Sequence, residues 1–225
     1  LGQMMFAKVI LVADQDAPAP KEHAAFWRHV LRHAVPGRDE QFAKGPIDVL
    51  DHASRAWSYG SKLVIDGTVK HTEEGDGAAW EPGPARAQEE LPNHAEVIAQ
   101  DQPGGGFWFL TTEKQRPDQG RHLGEWAARQ SAARGVRLIA VLDADTNPRD
   151  FEDVMWTLLN NIDPERDVQV VTDAAGGPCW VVDATPKVRE EGFSRDWPQK
   201  ITMDPAVTER VEARFPELLA RVRGA

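Results

Sequence analysis

Two apolar runs, each ending in an Asp-x-Asp triplet, constrain this chain more than any other feature. Lys8-Val-Ile-Leu-Val-Ala leads into Asp14-Gln15-Asp16, and Arg137-Leu-Ile-Ala-Val-Leu leads into Asp143-Ala144-Asp145, 129 positions later. Short, continuous, β-branched runs of this kind mark strands buried on both faces of an α/β sheet. The residues downstream of each run recur in order. Trp156 stands at the same offset from Trp27. Pro36-Gly37-Arg38-Asp39 is echoed by Pro164-Glu165-Arg166-Asp167, and Asp66-Gly67-Thr68-Val69-Lys70 by Asp183-Ala184-Thr185-Pro186-Lys187. Four anchors in one order read as an internal duplication. The expected fold class is α/β, a three-layer α/β/α arrangement of two related units.

The expected boundaries follow from composition. Residues 1–75 form the first unit: a strand over Lys8–Ala13, a helix over Lys21–His33 stopped by Pro36-Gly37, and a weak strand near Glu40–Ala43. Residues 76–103, rich in Gly, Pro, Glu and Ala, read as a flexible linker. Residues 104–225 form a second, degenerate unit, with strands near Phe107–Thr111 and Val136–Leu142 and a helix over Gln119–Ala133. The copies differ most between the Arg-Asp pair and the Asp-x-Thr-x-Lys element. There the first carries a long punctuated stretch, Phe42 to Lys70, containing Gly60-Ser61-Lys62, where the second has Gly177-Pro178-Cys179. A long loop between periodic segments is more often functional than not, so a ligand is expected on the first copy.

Composition narrows the function classes. With 41% hydrophobic and 28% charged residues, the 225-residue chain is globular rather than disordered. No apolar run approaches the roughly 20 residues that span a bilayer, and the start has no basic segment or cleavage site of a signal peptide. A net charge of −10, with scattered Lys and Arg, argues against nucleic acid as partner. The lone Cys179 fits a reducing, cytoplasmic compartment. A chain that starts at Leu1 and almost at once enters a strand reads as a fragment.

The chemistry-bearing residues leave alternatives open. Asp143-Ala144-Asp145-Thr146 is similar to the Asp-x-Asp of haloacid-dehalogenase-type phosphohydrolases, in which one aspartate attacks phosphorus. Acidic residues at the end of a parallel strand equally serve to cap the next helix. His23, His29 and His33 have no carboxylate at a ligand spacing, so no metal site is expected. Cys179 reads as a buried thiol and Gly104-Gly105-Gly106 as a hinge. In Gly60-Ser61-Lys62 the glycine admits a ligand to the backbone, and Ser and Lys supply a donor and a positive charge for phosphate or carboxylate. A solvated turn beside a strand is the plainer reading.

LGQMMFAKVILVAD, PIDVLDHAS and GSKLVIDGTVK, with VLDADTNPRDFEDVMWTLLNNIDPERD and VDATPKVREEGFSRDWPQKITMDP in the second copy, resemble the C-terminal region of UbiD-type carboxy-lyases. The extended, duplicated end resembles most the longer members assigned to menaquinone biosynthesis. The resemblance implies part of a prenylated-FMN-dependent decarboxylase of aromatic or unsaturated acids on routes to ubiquinone and menaquinone. It further implies that the Glu-Arg-Glu catalytic set and the flavin bed, with Mn and K in the parent enzyme, lie in a preceding N-terminal flavin-binding domain. This chain would then supply no catalytic residue and no metal ligand. Its role would be a dimer or higher-oligomer interface and one wall of the active site. Pro46 and Ile47 resemble the segment lining the substrate pocket, and Lys8 or Lys62 a basic residue near the flavin phosphate, with no choice between the two. The parent enzyme would be cytoplasmic, with peripheral membrane attachment left open. Ala17-Pro-Ala-Pro and Gly67 depart from the family pattern. Two other readings stand beside this one, a free-standing Asp-x-Asp phosphohydrolase and a purely structural dimerisation module.

Overall fold

The computed structural model describes residues 5–74 and 80–223. Two sheets organise it. Strands β1 (Val9–Val12), β2 (Glu40–Pro46) and β3 (Tyr59–Asp66) form a three-stranded sheet in the order β1-β3-β2. The second sheet has five strands in the order β4-β5-β6-β8-β7: β4 (Ala99–Gly104), β5 (Phe107–Thr112), β6 (Leu138–Asp143), β7 (Val168–Val171) and β8 (Cys179–Ala184). The helices are α1 (His23–His33), α2 (Gln119–Ala128), α3 (Phe151–Asn160), the single turn α4 (Pro164–Asp167) and α5 (Pro205–Arg223). None is long and apolar enough to cross a membrane.

The three-stranded sheet repeats part of the larger one. β1 is parallel to β3 and β6 to β8, with Ile10 opposite Val64 and Ile139 opposite Val181. β2 is antiparallel to β3, as β7 is to β8. The anchors after the strands make matching bonds. Arg38 Nε lies 2.8 Å from Asp39 Oδ1, and Arg166 Nε 2.7 Å from Asp167 Oδ1. Lys70 Nζ donates to the carbonyls of Asp66 and Thr68, and Lys187 Nζ to those of Asp183 and Thr185. The tryptophan anchor does not match: Trp27 is buried in the core, whereas Trp156 is 54% exposed.

Alternation along the central strands explains the layering. Phe107, Phe109, Leu138, Ala140, Leu142, Trp180 and Val182 point to one side and meet Trp27, Val30 and Leu31 of α1, Val154 and Leu158 of α3, and Leu63 and Ile65 of β3. Trp108, Leu110, Ile139, Val141 and Val181 point to the other, where Leu123, Ala127 and Ala128 of α2 cover them. Gly120 and Gly124 let α2 lie against β8, since a Cβ there would collide with Asp183 and Val181. A helix approaches a sheet this closely only over small residues.

Three sequence expectations change. β2 extends to Pro46, paired through to Tyr59 of β3, so much of the stretch Phe42–Lys70 is hairpin and only residues 47–58 are loop. The 76–103 stretch is more than a linker where it is described: β4 begins at Ala99 and pairs with β5, burying Gln100 and Gln102. The Gln100 amide donates to Pro92 O and accepts from Trp108 Nε1, and Gln102 Nε2 donates to Ala132 O while its Oε1 is buried without a partner among the described residues. The helix expected to reach Ala133 ends at Ala128, followed by a short 3-10 turn over Ser131–Ala133.

The anchor after β8 is the more buried. Lys187 is 3.0 Å from Asp183 and 3.7 Å from Asp167, all three nearly inaccessible, whereas the equivalent Asp66 is half exposed. Removing one member of a buried ion pair strands the other, at about 3–5 kcal/mol. Lys187→Met is therefore expected to cost about that much in urea unfolding, and Lys70→Met about 1–2 kcal/mol because water can reach Asp66. Equal losses would refute the distinction. Burial pushes Asp183 upward, but the ammonium groups of Lys187 and Lys114 outweigh it and hold the carboxyl below its ordinary 3.8. A depressed carboxylate adds stability that is fully present above the unfolded value and is lost as pH falls through the folded one. The cost of Lys187→Met should accordingly shrink on acidification below about pH 4.

Candidate functional site

A cavity of about 630 Å³ opens where the carboxyl end of β6, the last turn of α3, the 47–58 loop and the stretch before α5 converge. Ligand crevices of α/β sheets lie outside the carboxyl ends of strands, so the place suits a site. β6 brings Asp143 and, one turn on, Asp145. α3 is started by Asp150, whose carboxylate accepts from the N–H groups of Glu152 and Asp153, and its far end presents Trp156, Asn160 and Asn161. The loop adds His52, and the 197–201 stretch adds Trp197 and Lys200.

These groups are tied together. His52 Nε2 lies 3.1 Å from Asn161 Oδ1, and Asn161 Nδ2 donates to Ala184 O. Trp197 meets His52 edge-on at 5.0 Å between ring centres and Phe193 at 5.4 Å. Arg195 donates to Ser54 O, pinning this segment to the loop. Lys200 Nζ is 3.3 Å from Asp153 and 3.8 Å from Asp145, and lies over the Trp156 ring. Burial lowers the His52 pKa, with the Asn161 bond pulling the other way and Lys8 adding to the fall. Burial and then the Asp145 charge raise Asp143, while the Ala144 N–H pulls the other way.

Of the residues singled out in the sequence, Asp143 and Asp145 line this cavity, whereas Lys8, Lys62, Pro46 and Ile47 do not. Lys8 Nζ is held by Asp51 at 2.6 Å and by Asn160 O at 3.1 Å. Lys62 Nζ donates to Met5 O and Ala7 O at 2.7 and 2.8 Å, and burial lowers its pKa. Pro46 is exposed at the end of β2, and Ile47 is buried beneath Gly60. Gly60 serves packing rather than ligand access, since a Cβ there would meet Ile47 and Ser54 at 2.9 Å. Ser61 is likewise committed: its N–H and hydroxyl both donate to Asp163, and its oxygen accepts from the Glu165 N–H. Within the triplet it is Ser61 that ties β3 to Asp163 and Glu165 of the α4 turn. Cys179 is buried, its pKa pushed up to about 12, and it is no nucleophile. No group of three or more His, Cys, Asp or Glu among the described residues is arranged to hold a metal ion. Sequence reasoning did not single out His52, Asn160, Asn161 and Lys200. Their one signal was proximity in sequence to segments already noted for other reasons.

A family model described as the 3-octaprenyl-4-hydroxybenzoate carboxy-lyase C-terminal domain, UbiD_C, matches residues 1–67 and 85–184. The chain belongs to the UbiD C-terminal domain family. An uncharacterized protein of Aquifex aeolicus is 30% identical over 141 residues, covering 56% of this chain and 29% of that protein. One from Helicobacter pylori is 25% identical over 221 residues, covering 95% of this chain and 34% of its own length. This UbiD C-terminal domain thus spans only a minor part of those relatives. Among solved structures, vanillic acid decarboxylase of Sedimentibacter hydroxybenzoicus in open form aligns at 17% identity and TM-score 0.46, covering 81% of this chain and 45% of that one. An evolved dimeric form of the UbiD-class enzyme HmfF from Pelotomaculum thermopropionicum, in complex with prFMN, aligns at 16% identity and TM-score 0.40, covering 78% and 41%. The match to the UbiD C-terminal domain includes β6, α3 and the 47–58 loop but not the 197–201 wall of the cavity.

A carboxyl whose folded pKa is raised weakens the fold as pH rises from the unfolded value through the folded one. Asp143→Asn keeps the acceptor for the Ala144 N–H and removes that loss. The variant is expected to melt higher than the parent at pH 7 and at the same temperature below pH 3. A lower melting temperature at pH 7 would show that the Asp143 charge is needed by the fold.

Proposed function

We propose that this chain is the C-terminal region of a UbiD-type carboxy-lyase acting on aromatic or unsaturated carboxylic acids on the routes to ubiquinone and menaquinone. Its role there is to wall the substrate site and assemble the oligomer. The observation that carries this reading is the family match, which runs through both sheets and the 47–58 loop. The matching strand senses and anchor bonds favour an origin of the two units by duplication. Prenylated FMN, with its Mn and K, would be held mainly by a flavin-binding domain outside this chain, and supplies the electron sink for decarboxylation when bound.

The surroundings of the two lysines favour one of them for this role. Lys8 is neutralised by a carboxylate, so a phosphate would have to displace Asp51. Lys62 is held only by carbonyls and can exchange them for a phosphate oxygen. Lys62 is therefore the better candidate for the flavin phosphate. Pro46, exposed at the mouth of the loop, is the better candidate for substrate contact, with Ile47 supporting it from beneath.

The 225-residue chain mixed with prenylated FMN and an aromatic acid is expected to release no carbon dioxide. Activity should need the flavin-binding part of the longer enzyme. In that enzyme Lys62→Ala should lower cofactor affinity at least tenfold. Decarboxylation by the chain alone would sink the reading, and an unchanged affinity in Lys62→Ala would leave it a structural module. A phosphohydrolase is the rival because Asp143 and Asp145 face the cavity. It requires magnesium-dependent hydrolysis of a phosphate ester that Asp143→Asn abolishes.

A further inference from the structure

The larger sheet leaves one carboxylate without a partner that its counterpart in the smaller sheet has. Val12 lies opposite Asp66 and Val141 opposite Asp183, so Asp14 and Asp143 stand at the same place beyond β1 and β6. Asp14 Oδ2 accepts the Val69 N–H at 2.7 Å. Val69 belongs to the Asp-x-Thr-x-Lys anchor, and the anchor after β8 has Pro186 in its place. Proline has no N–H to give. Among the described residues the Asp143 carboxylate accepts only the N–H of its neighbour Ala144 and forms no ion pair.

That carboxylate opens into the cavity of about 630 Å³, a size that takes a small organic molecule. Much of the wall is aromatic, with Trp156, Trp197 and His52. The chain's own ammonium shows what such a wall holds. Lys200 Nζ lies 5.8 Å from the centre of the Trp156 ring while it bridges Asp145 and Asp153. A cation over an indole face is drawn by the ring quadrupole. Lys200 is the one cationic side chain of the lining, and its two carboxylate partners leave Asp143 without a cation.

We propose that this cavity binds a small aromatic ammonium ion, with the charge at Asp143 and the ring against Trp156 and Trp197. An ammonium at Asp143 makes a charge-assisted hydrogen bond in place of the donor that Pro186 lacks. It also relieves the Asp145 charge, which together with burial raises the Asp143 carboxyl. An anion would meet two aspartates, and a neutral molecule would leave Asp143 without a cation, so charge decides what enters. Lys200 competes for the same wall, and its removal frees the face of Trp156. The site stands on the cavity alone and does not depend on the carboxy-lyase assignment.

The 225-residue chain is titrated at pH 7 with benzylammonium, benzyl alcohol and benzoate, probes that share one ring and differ in charge. Calorimetry and tryptophan fluorescence read the binding. Benzylammonium is expected to bind roughly tenfold more tightly than either of the others. Asp143→Asn keeps the acceptor for the Ala144 N–H and should weaken that binding roughly tenfold. Trp156→Ala should weaken it about threefold. Lys200→Met should tighten it, a change of sign that damage to the fold would not produce, and circular dichroism checks each variant. Equal binding of the three probes, or a preference for benzoate, overturns the choice of a cation. Benzylammonium binding unchanged in Asp143→Asn overturns the role of that carboxylate. No heat and no fluorescence change with any probe overturns the site.

Discussion

The inner faces of the two sheets close a single core, and most other features of the molecule depend on that closure. Leu63 and Ile65 of the small sheet pack with Leu138, Trp180 and Val182 of the large one, with α1 and α3 completing the enclosure. Three strands alone bury too little apolar surface to hold a fold. Polar ties reinforce the contact at its margins. Trp180 Nε1 donates to Glu40, Arg137 donates to the Leu31 and Arg32 carbonyls that end α1, and Ser61 donates to Asp163. The two units therefore cannot behave as beads on a linker, whatever their origin.

The shared anchor shows how one chemical device serves two environments. In each unit a lysine returns along its own strand end to bind two carbonyls and a carboxylate, which turns the chain sharply after the strand. In the second unit α2 and Glu191 close over it, and Lys114 adds a second cation at 2.6 Å from Glu191 and 4.0 Å from Asp183. In the first unit Lys70 and Asp39 are nearly as inaccessible, and only Asp66 reaches solvent. A buried network has to be complete because each unpaired member is costly, so the one carboxylate of this anchor free to exchange partners is Asp66.

Strands β1, β5, β6 and the Arg-Asp and Lys anchors were legible because their signals are local: β-branched runs and short motifs that recur. β3 was legible only as an apolar run, and its pairing with β2 was not, because Phe42, Lys44 and Pro46 lie on an exposed edge and carry no alternation. β4 was hidden in a Gln- and Pro-containing stretch whose buried amides find the Pro92 and Ala132 carbonyls and the Trp108 indole only once the chain has folded, a tertiary fact that composition cannot carry. The Trp27 and Trp156 match was misleading, since equal spacing along a chain does not fix which face of a helix a residue occupies. The cavity was illegible for the same reason. His52, Asn161, Trp197 and Lys200 come from three segments and acquire meaning only where those segments meet.

The electrostatics of that cavity limit what it can take in. Asp143 and Asp145 lie at its floor, and the single ammonium near them, Lys200, is already shared between Asp145 and Asp153. Two unit charges of like sign about 4 Å apart repel by about 4 kcal/mol at the effective dielectric of a protein surface. A carboxylate substrate would therefore not be drawn in head-first. Trp156, Trp197 and His52 instead offer ring faces and edges suited to the uncharged end of an aromatic molecule. A ligand that carried both a ring and a carboxylate would enter ring first, with the carboxylate turned away from Asp143 and Asp145.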